Sequence, residues 1–199
     1  MQKIIFTDLD GTLTLRDTYN IFIFHNLTFS LSLKNALPVS LMTLKYLFGL
    51  LSKEGVKRAS FKMYFSGYDT QKDIGNFLGK IPWNKPVIDK IKAKQADGYK
   101  VILVTASPDP YLHDICEYLG YDGFLATKTH HNNDILKGTF DGAVCNFDEK
   151  VIRIKEFLGT NKPIHTLSFG NSKGDYPMLK FCDESYFVHK ANIKKFDLK

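Results

Sequence analysis

Cysteine, tryptophan and low-complexity sequence are scarce in this chain of 199 residues, and each scarcity removes a class of protein. There are three cysteines, Cys116, Cys145 and Cys182, and one tryptophan. An odd number of cysteines without metal-ligand spacing argues against a disulfide scaffold and predicts reduced, buried thiols in a cytoplasmic protein. No arginine-rich run occurs, so no nucleic-acid partner is expected, although the net charge is +6. The lysines are spread along the chain, a mildly basic balance that suits an anionic substrate or surface. No apolar run reaches the roughly 18–20 residues needed to span a bilayer. The strand pattern begins at once with Lys3-Ile4-Ile5-Phe6, so no signal peptide is expected. Disorder is not indicated either: 44% of the residues are hydrophobic and 16 are phenylalanine, enough for a real core.

The most informative segment is Ile4-Ile5-Phe6-Thr7-Asp8-Leu9-Asp10-Gly11-Thr12. It places two carboxylates directly after an apolar strand and before a glycine turn. Side chains alternate along a strand, so Asp8 and Asp10 are expected to share a face at its C-terminal end, where open α/β sheets build their sites. Two like charges that close are costly unless a cation or a proton separates them. The pair therefore asks for a metal, or for one acid and one base.

Strand patterns recur at 3–7, 100–105, 123–126, 164–169 and 185–188, and helical patterns at 84–97, 108–119, 148–159 and 175–182. This alternation predicts an α/β fold, a doubly wound, Rossmann-like parallel sheet. The first two strands are separated by far more chain than a crossover needs. A helical cap is therefore expected at about 17–82, leaving 1–16 and 83–199 as the catalytic core. Within it, helical patterns cover 18–33, 36–52, 54–66 and 70–79, with Pro38, Gly55 and Gly67 as punctuation. The stretch 36–51 is apolar nearly all round. It reads either as a buried cap helix or as a greasy face that meets a membrane or a lipid-like substrate. Lys53, Lys57, Arg58 and Lys62 follow it, suited to anionic headgroups or simply to a solvated face.

Three later segments supply what the carboxylates require. Thr105 ends the second strand, and Ala106-Ser107-Pro108 follows, small residues before a helix that could cradle a phosphate. Lys150 opens a helical run and could reach over the strand ends to a phosphoryl group. Asn171 and Asp175 lie on the turn after the fourth strand and offer oxygens to a hard cation such as Mg²⁺. Each signal alone has an ordinary reading as a helix cap or a solvated side chain.

The ordered set resembles the haloacid dehalogenase superfamily of phosphohydrolases, through nearly the whole chain. Asp8-Leu9-Asp10-Gly11-Thr12, Thr105, Lys150 and Gly170-Asn171-Ser172-Lys173-Gly174-Asp175 match its four motifs. The insertion looks like that of the phosphoserine-phosphatase subgroup. The segments around Thr105 and Asp175, with Asp17-Thr18, look closest to a bacterial branch that includes phosphatidylglycerophosphatase C-like proteins. The resemblance implies a phosphomonoesterase that uses Mg²⁺. Asp8 would be the nucleophile and Asp10 the general acid and base. Thr105 and Lys150 would hold phosphoryl oxygens, and Asp8, the Asp10 carbonyl, Asn171 and Asp175 would serve the metal, Asp175 through water. Gly11, Thr12, Ala106 and Ser107 would contact substrate; Arg16 and Asp17, just past the first motif, are candidate substrate contacts or equally a surface ion pair, and Arg58 is a further candidate. The family usually has Asp where this chain has Asn171, which predicts weaker metal binding. The implied partner is a phosphorylated small molecule or a lipid phosphate, with peripheral membrane contact through the cap in the latter case. A binding protein that holds a phosphate ligand without turnover is the alternative.

Overall fold

The computed structural model describes residues 2–26, 29–70 and 75–196. Its centre is a sheet of six strands in the order β3-β2-β1-β6-β7-β8. These are β1 (Lys3–Thr7), β2 (Tyr99–Pro108), β3 (Gly123–Thr127), β6 (His165–Gly170), β7 (Glu184–His189) and β8 (Asn192–Lys195). All neighbours are parallel except β7 and β8. The β1 strand lies in the middle, with Ile5 opposite Val101 on one side and Leu167 on the other. Its alternation fills both faces. Ile5, Val101, Leu103, Leu167 and Phe169 enter one apolar cluster, while Ile4, Phe6, Ile102 and Val104 enter a second. Helices α5 (Lys85–Ala96) and α6 (Leu112–Leu119) cover the first face, and α7 (Asp148–Leu158) and α8 (Tyr176–Phe181) the second. The sheet is thus the expected Rossmann-like α/β architecture. All three cysteines are buried and unpaired.

The long connection between β1 and β2 is helical: α1 (Thr18–Asn26), α2 (Phe29–Leu47), α3 (Lys53–Phe65) and the short α4 (Gly75–Leu78). Its boundaries differ from the sequence pattern. Of the helix expected over 18–33, residues 27–28 lie outside the described residues; α1 covers Thr18–Asn26, and α2 is already helical from Phe29, so Pro38 lies inside a helix instead of opening one. A proline removes one helical hydrogen bond, and on the exposed stretch around Pro38 water can serve the carbonyl left over. Gly55 does not break the chain either. Its N–H donates to the side chain of Ser52, which caps α3. Of the helix expected over 70–79, residues 71–74 lie outside the described residues and only Gly75–Leu78 is helical. Among the described residues no helix is long and apolar enough to cross a membrane.

The sequence pattern also missed β8 and a hairpin, β4 (Thr129–Asn132) and β5 (Ile135–Phe140). The β5 burial alternates, and its inward residues Leu136 and Phe140 pack into the same cluster as Phe61 and Phe65 of α3. Gly67 donates to the Leu136 carbonyl, Leu136 to Tyr68, and Thr70 to Asp134. Gly138 has a positive φ of 72°, and a Cβ there would sit 3.0 Å from Lys62 Cα, so only glycine lets the hairpin approach α3 this closely. The interior of the insertion is aromatic. Phe22 stacks on Phe65 and meets Phe77 and Tyr111 edge-on or tilted.

Candidate active site

The β1 strand ends at Thr7, so Asp8 and Asp10 stand on the following turn and not on the strand itself. The Asp8 N–H still reaches the Phe169 carbonyl at 2.9 Å, which holds it beside β6. Beyond it the N–H groups of Thr12, Leu13 and Thr14 all turn back to the Leu9 carbonyl. Asn84 secures this turn from α5, its amide donating to the Thr12 carbonyl at 2.9 Å. Gly11 is required by its φ of 82° and because a Cβ would collide with Asn171 at 2.1 Å. Both carboxylates thereby line one pocket of about 510 Å³, together with Thr105, Ala106, Lys150, Asn171, Ser172 and Asp175.

On the pocket floor, Lys150 donates to Asp8 Oδ1 at 2.7 Å, Asp175 Oδ1 at 2.6 Å and the Val104 carbonyl at 2.8 Å. Its three hydrogens are all used. Burial works against the charge on Lys150, but Asp175 and Asp8 outweigh it and hold the ammonium above the ordinary lysine range. One cation does not serve two buried carboxylates equally. Burial would raise Asp175, but Lys150 and the Ser172 donors, at 2.8 and 2.9 Å, hold it below its ordinary value. Asp8 carries the imbalance: burial first, then Asp175, push it up to about 7 against the pull of Lys150.

Asp10 is oriented separately. Its Oδ2 accepts from Ser107 Oγ at 2.5 Å and its Oδ1 from the Thr18 N–H at 2.6 Å. Burial and the nearby Asp17 raise it, opposed by those two donors. A carboxyl that holds its proton more tightly than usual is suited to give that proton to a leaving oxygen.

The other residues singled out in the sequence fall in two groups. Thr105 is buried, with its hydroxyl accepting from the Ser107 N–H, and the Ala106 carbonyl accepts from Lys57 and Thr127. Thr12 and Ser107 are fully buried and turn toward the carboxylates: Thr12 donates to Asp8 Oδ2 at 3.1 Å, Ser107 to Asp10. Both position the acids and lie outside the pocket lining, as does Gly11. Asp17 lines the pocket and caps α1 through the Asn20 N–H. Arg16 is exposed and outside the lining. Arg58 pairs with Glu54 at 2.8 Å and donates to the Gly142 carbonyl, so it latches α3 to the chain after β5.

Several lining residues carried no signal in the sequence: Glu54, Val144, Asn146 and Phe147, while Lys57 stood out only as one of a basic set. Lys57 spans from α3 to the Ala106 carbonyl at 2.8 Å. Phe147 has a φ of 50° and a ψ of −129°, a conformation that is unfavourable for an aromatic residue, yet it is half exposed at the pocket mouth. Its N–H is held by the Gly174 carbonyl at 3.1 Å. The anchor is glycine 27 residues downstream, invisible to local pattern.

The oxygens present fit a small hard cation. The Thr12 hydroxyl contacts both Asp8 Oδ2 at 3.1 Å and Asn171 Oδ1 at 3.3 Å, so two oxygens of the kind such a cation takes flank one hydroxyl. Among the described residues no group of three His, Cys, Asp or Glu side chains is placed to hold a metal, so a cation here depends on an amide and main-chain oxygens. Asp175 has both oxygens engaged by protein donors.

Several known proteins are similar to this chain. Protein CicA of Caulobacter vibrioides is 28% identical over 184 residues, covering 89% of this chain and 82% of the relative. A protein of unknown function from Bordetella pertussis Tohama I superposes with a TM-score of 0.75 at 15% identity, covering 93% of this chain and 89% of its own. A phospho-aspartyl intermediate analogue of phosphoserine phosphatase superposes with a TM-score of 0.64 at 21% identity, covering 92% and 85%. Residues 5–180 match the family model of haloacid dehalogenase-like hydrolases, a span that runs from β1 to the end of α8 and takes in both carboxylates, Lys150 and Asp175. The chain belongs to the haloacid dehalogenase-like hydrolases.

Proposed function

We propose that this hydrolase is a phosphomonoesterase that works through a phosphorylated Asp8 with Mg²⁺ bound. The observation that carries the reading is the separation of the two acids: Asp8 lies against the Lys150 ammonium, while Asp10 is held apart by Ser107 and Thr18 with its proton favoured. Asp8 Oδ attacks phosphorus, the bond from phosphorus to the leaving oxygen breaks, and Asp10 gives that oxygen its proton. Asp10 then takes a proton from water, whose oxygen attacks phosphorus and releases Asp8 and inorganic phosphate. Lys150 offsets charge on Asp8 and on the phosphoryl group, and Thr105 supplies a hydroxyl from within β2. Asp8, the Asp10 carbonyl and Asn171 would hold Mg²⁺, which supplies the second positive charge that Asp8 and Asp175 share too little of. The phospho-aspartyl analogue of the structurally similar phosphoserine phosphatase supports the same route.

The leaving group would face Asp17, Glu54, Lys57 and Phe147 at the mouth. A panel of soluble phosphomonoesters and detergent-dispersed phosphatidylglycerophosphate, each with Mg²⁺, tests the reading. Release of phosphate by the native chain and none by Asp8→Asn is expected, with label trapped on Asp8 after acid quench. Turnover that survives Asp8→Asn overturns the mechanism. Stoichiometric phosphate binding without turnover on any substrate replaces it with a binding protein.

A further inference from the structure

The outer surface of the insertion is unusual in two independent ways. First, α2 and the turn after it expose seven large apolar side chains: Leu37, Leu41, Leu44, Tyr46, Leu47, Phe48 and Leu50. Leu37, Leu41, Leu44 and Phe48 follow one another at intervals of four, three and four, a single helical face. Phe48 and Leu50 are 71% and 77% exposed. Monomeric soluble proteins rarely display contiguous apolar patches of this kind without a use for them. Second, the same stretch is devoid of negative charge. Between Asp17 and Glu54 there is no Asp or Glu at all, while Lys34, Lys45 and Lys53 fall within it. Lys45 is exposed one residue from Leu44 and Tyr46.

We infer that this face of the insertion seats on an anionic lipid surface, with α2 lying in the plane of the headgroups. The chemistry selects that occupant. Apolar side chains without carboxylates, with lysines interspersed and aromatic residues at the helix end, match a membrane whose interior is apolar and whose surface is negative. No described helix is long and apolar enough to cross a bilayer, so the contact is peripheral. A second copy of this chain would bring the same lysines against one another, a like-charge contact that opposes pairing.

The position of the patch relative to the pocket gives the contact a use. Leu50 is four residues from Glu54, which lines the mouth, so the apolar turn lies within about 14 Å of it along the chain. A membrane against Phe48 and Leu50 therefore stands beside the entrance, and the pocket opens within reach of a phosphate carried at that surface.

Co-sedimentation of the full chain with phosphatidylcholine vesicles, with and without phosphatidylglycerol, tests the inference. Binding to the phosphatidylglycerol vesicles, weakened by salt, is expected. The double substitution Leu44→Ser with Phe48→Ser is expected to weaken it about tenfold or more, because two exposed side chains lose their apolar burial in lipid. Lys45→Glu is expected to weaken it on anionic vesicles alone. Thermal unfolding matching that of the native chain shows that each variant folds. Asp8→Asn is expected to bind as the native chain does, so the result stands whether or not the phosphatase reading does. Native protein left in the supernatant with anionic vesicles overturns the inference. So does undiminished binding by the double variant, or a dimer in vesicle-free solution that the double variant converts to monomer.

Discussion

On the pocket floor the side chains of Asp8, Lys150 and Asp175 are 9, 1 and 2% exposed, and every ammonium hydrogen has a named acceptor. At the rim, Glu54 is 50% exposed, and its partner Arg58, 40% exposed and outside the lining, reaches across to Gly142. The floor hangs from the ends of β1, β2 and β6 and from α7, and it is tied into the sheet. The rim hangs from α3, from the residue before α1 and from the loop before α7. The difference separates two tasks. Groups that must meet phosphorus are fixed by burial and paired charge, whereas groups that meet the rest of a substrate sit where solvent screens them and substitution is cheap.

The comparison can be broken at its strongest point first. Asp8→Asn should lower kcat on a soluble phosphomonoester by about 10⁴-fold or more, as loss of a nucleophile does, while Lys57→Ala at the rim leaves kcat within a fewfold. Comparable losses from the two would show that floor and rim are not distinct. Lys150→Met leaves Asp8 and Asp175 buried without their cation, so it should cost roughly 3–5 kcal/mol in urea unfolding at neutral pH. A cost near that of a surface substitution would remove Lys150 from the floor.

A third test uses pH in the absence of Mg²⁺. Asp8 keeps its proton in the folded chain up to about 7, against an ordinary value of 3.8. Below 3.8 both states are protonated and Asp8→Asn gains nothing. Between 3.8 and about 7 the unfolded native chain ionises first and the native fold loses stability, so the advantage of Asp8→Asn grows, and above about 7 it is level. Urea midpoints of the two proteins across that range check it, and an advantage largest at low pH would reverse the assignment. Asn171→Asp should lower the Mg²⁺ concentration for half-maximal activity, by about tenfold, because a formal charge joins the oxygen set. An unchanged or higher requirement would argue against Asn171 as a ligand. The smallest effect is expected from Lys57→Ala on KM, about threefold, since one half-exposed contact is removed.

The sequence made the sheet and the floor legible for a physical reason. Strands β1, β2 and β6 are buried on both faces, so their apolar runs are unmistakable; Asp8 and Asp175 follow the ends of β1 and β6, and Lys150 lies in the first turn of α7. What escaped was everything decided between distant segments. The β5 residues Ile135–Phe140 alternate correctly for a strand, but they contain only three large apolar side chains, and the surface they bury against belongs to α3. Thr12 and Ser107 were legible as hydroxyls near a phosphate, yet only packing shows that they are spent on Asp8 and Asp10. Lys57 and Arg58 are adjacent in sequence, and nothing local says that the first enters the pocket and the second closes on Gly142.

The contact between β5 and α3 bears on how this protein can be rebuilt. Because Leu136 and Phe140 complete the same interior as Phe61, Phe65 and Phe22, cutting out the segment between β1 and β2 would strip the hairpin as well. A chimera that exchanges this segment for a relative's must therefore carry the hairpin with it as one transplant, though β2, α6 and β3 separate the two pieces in the chain.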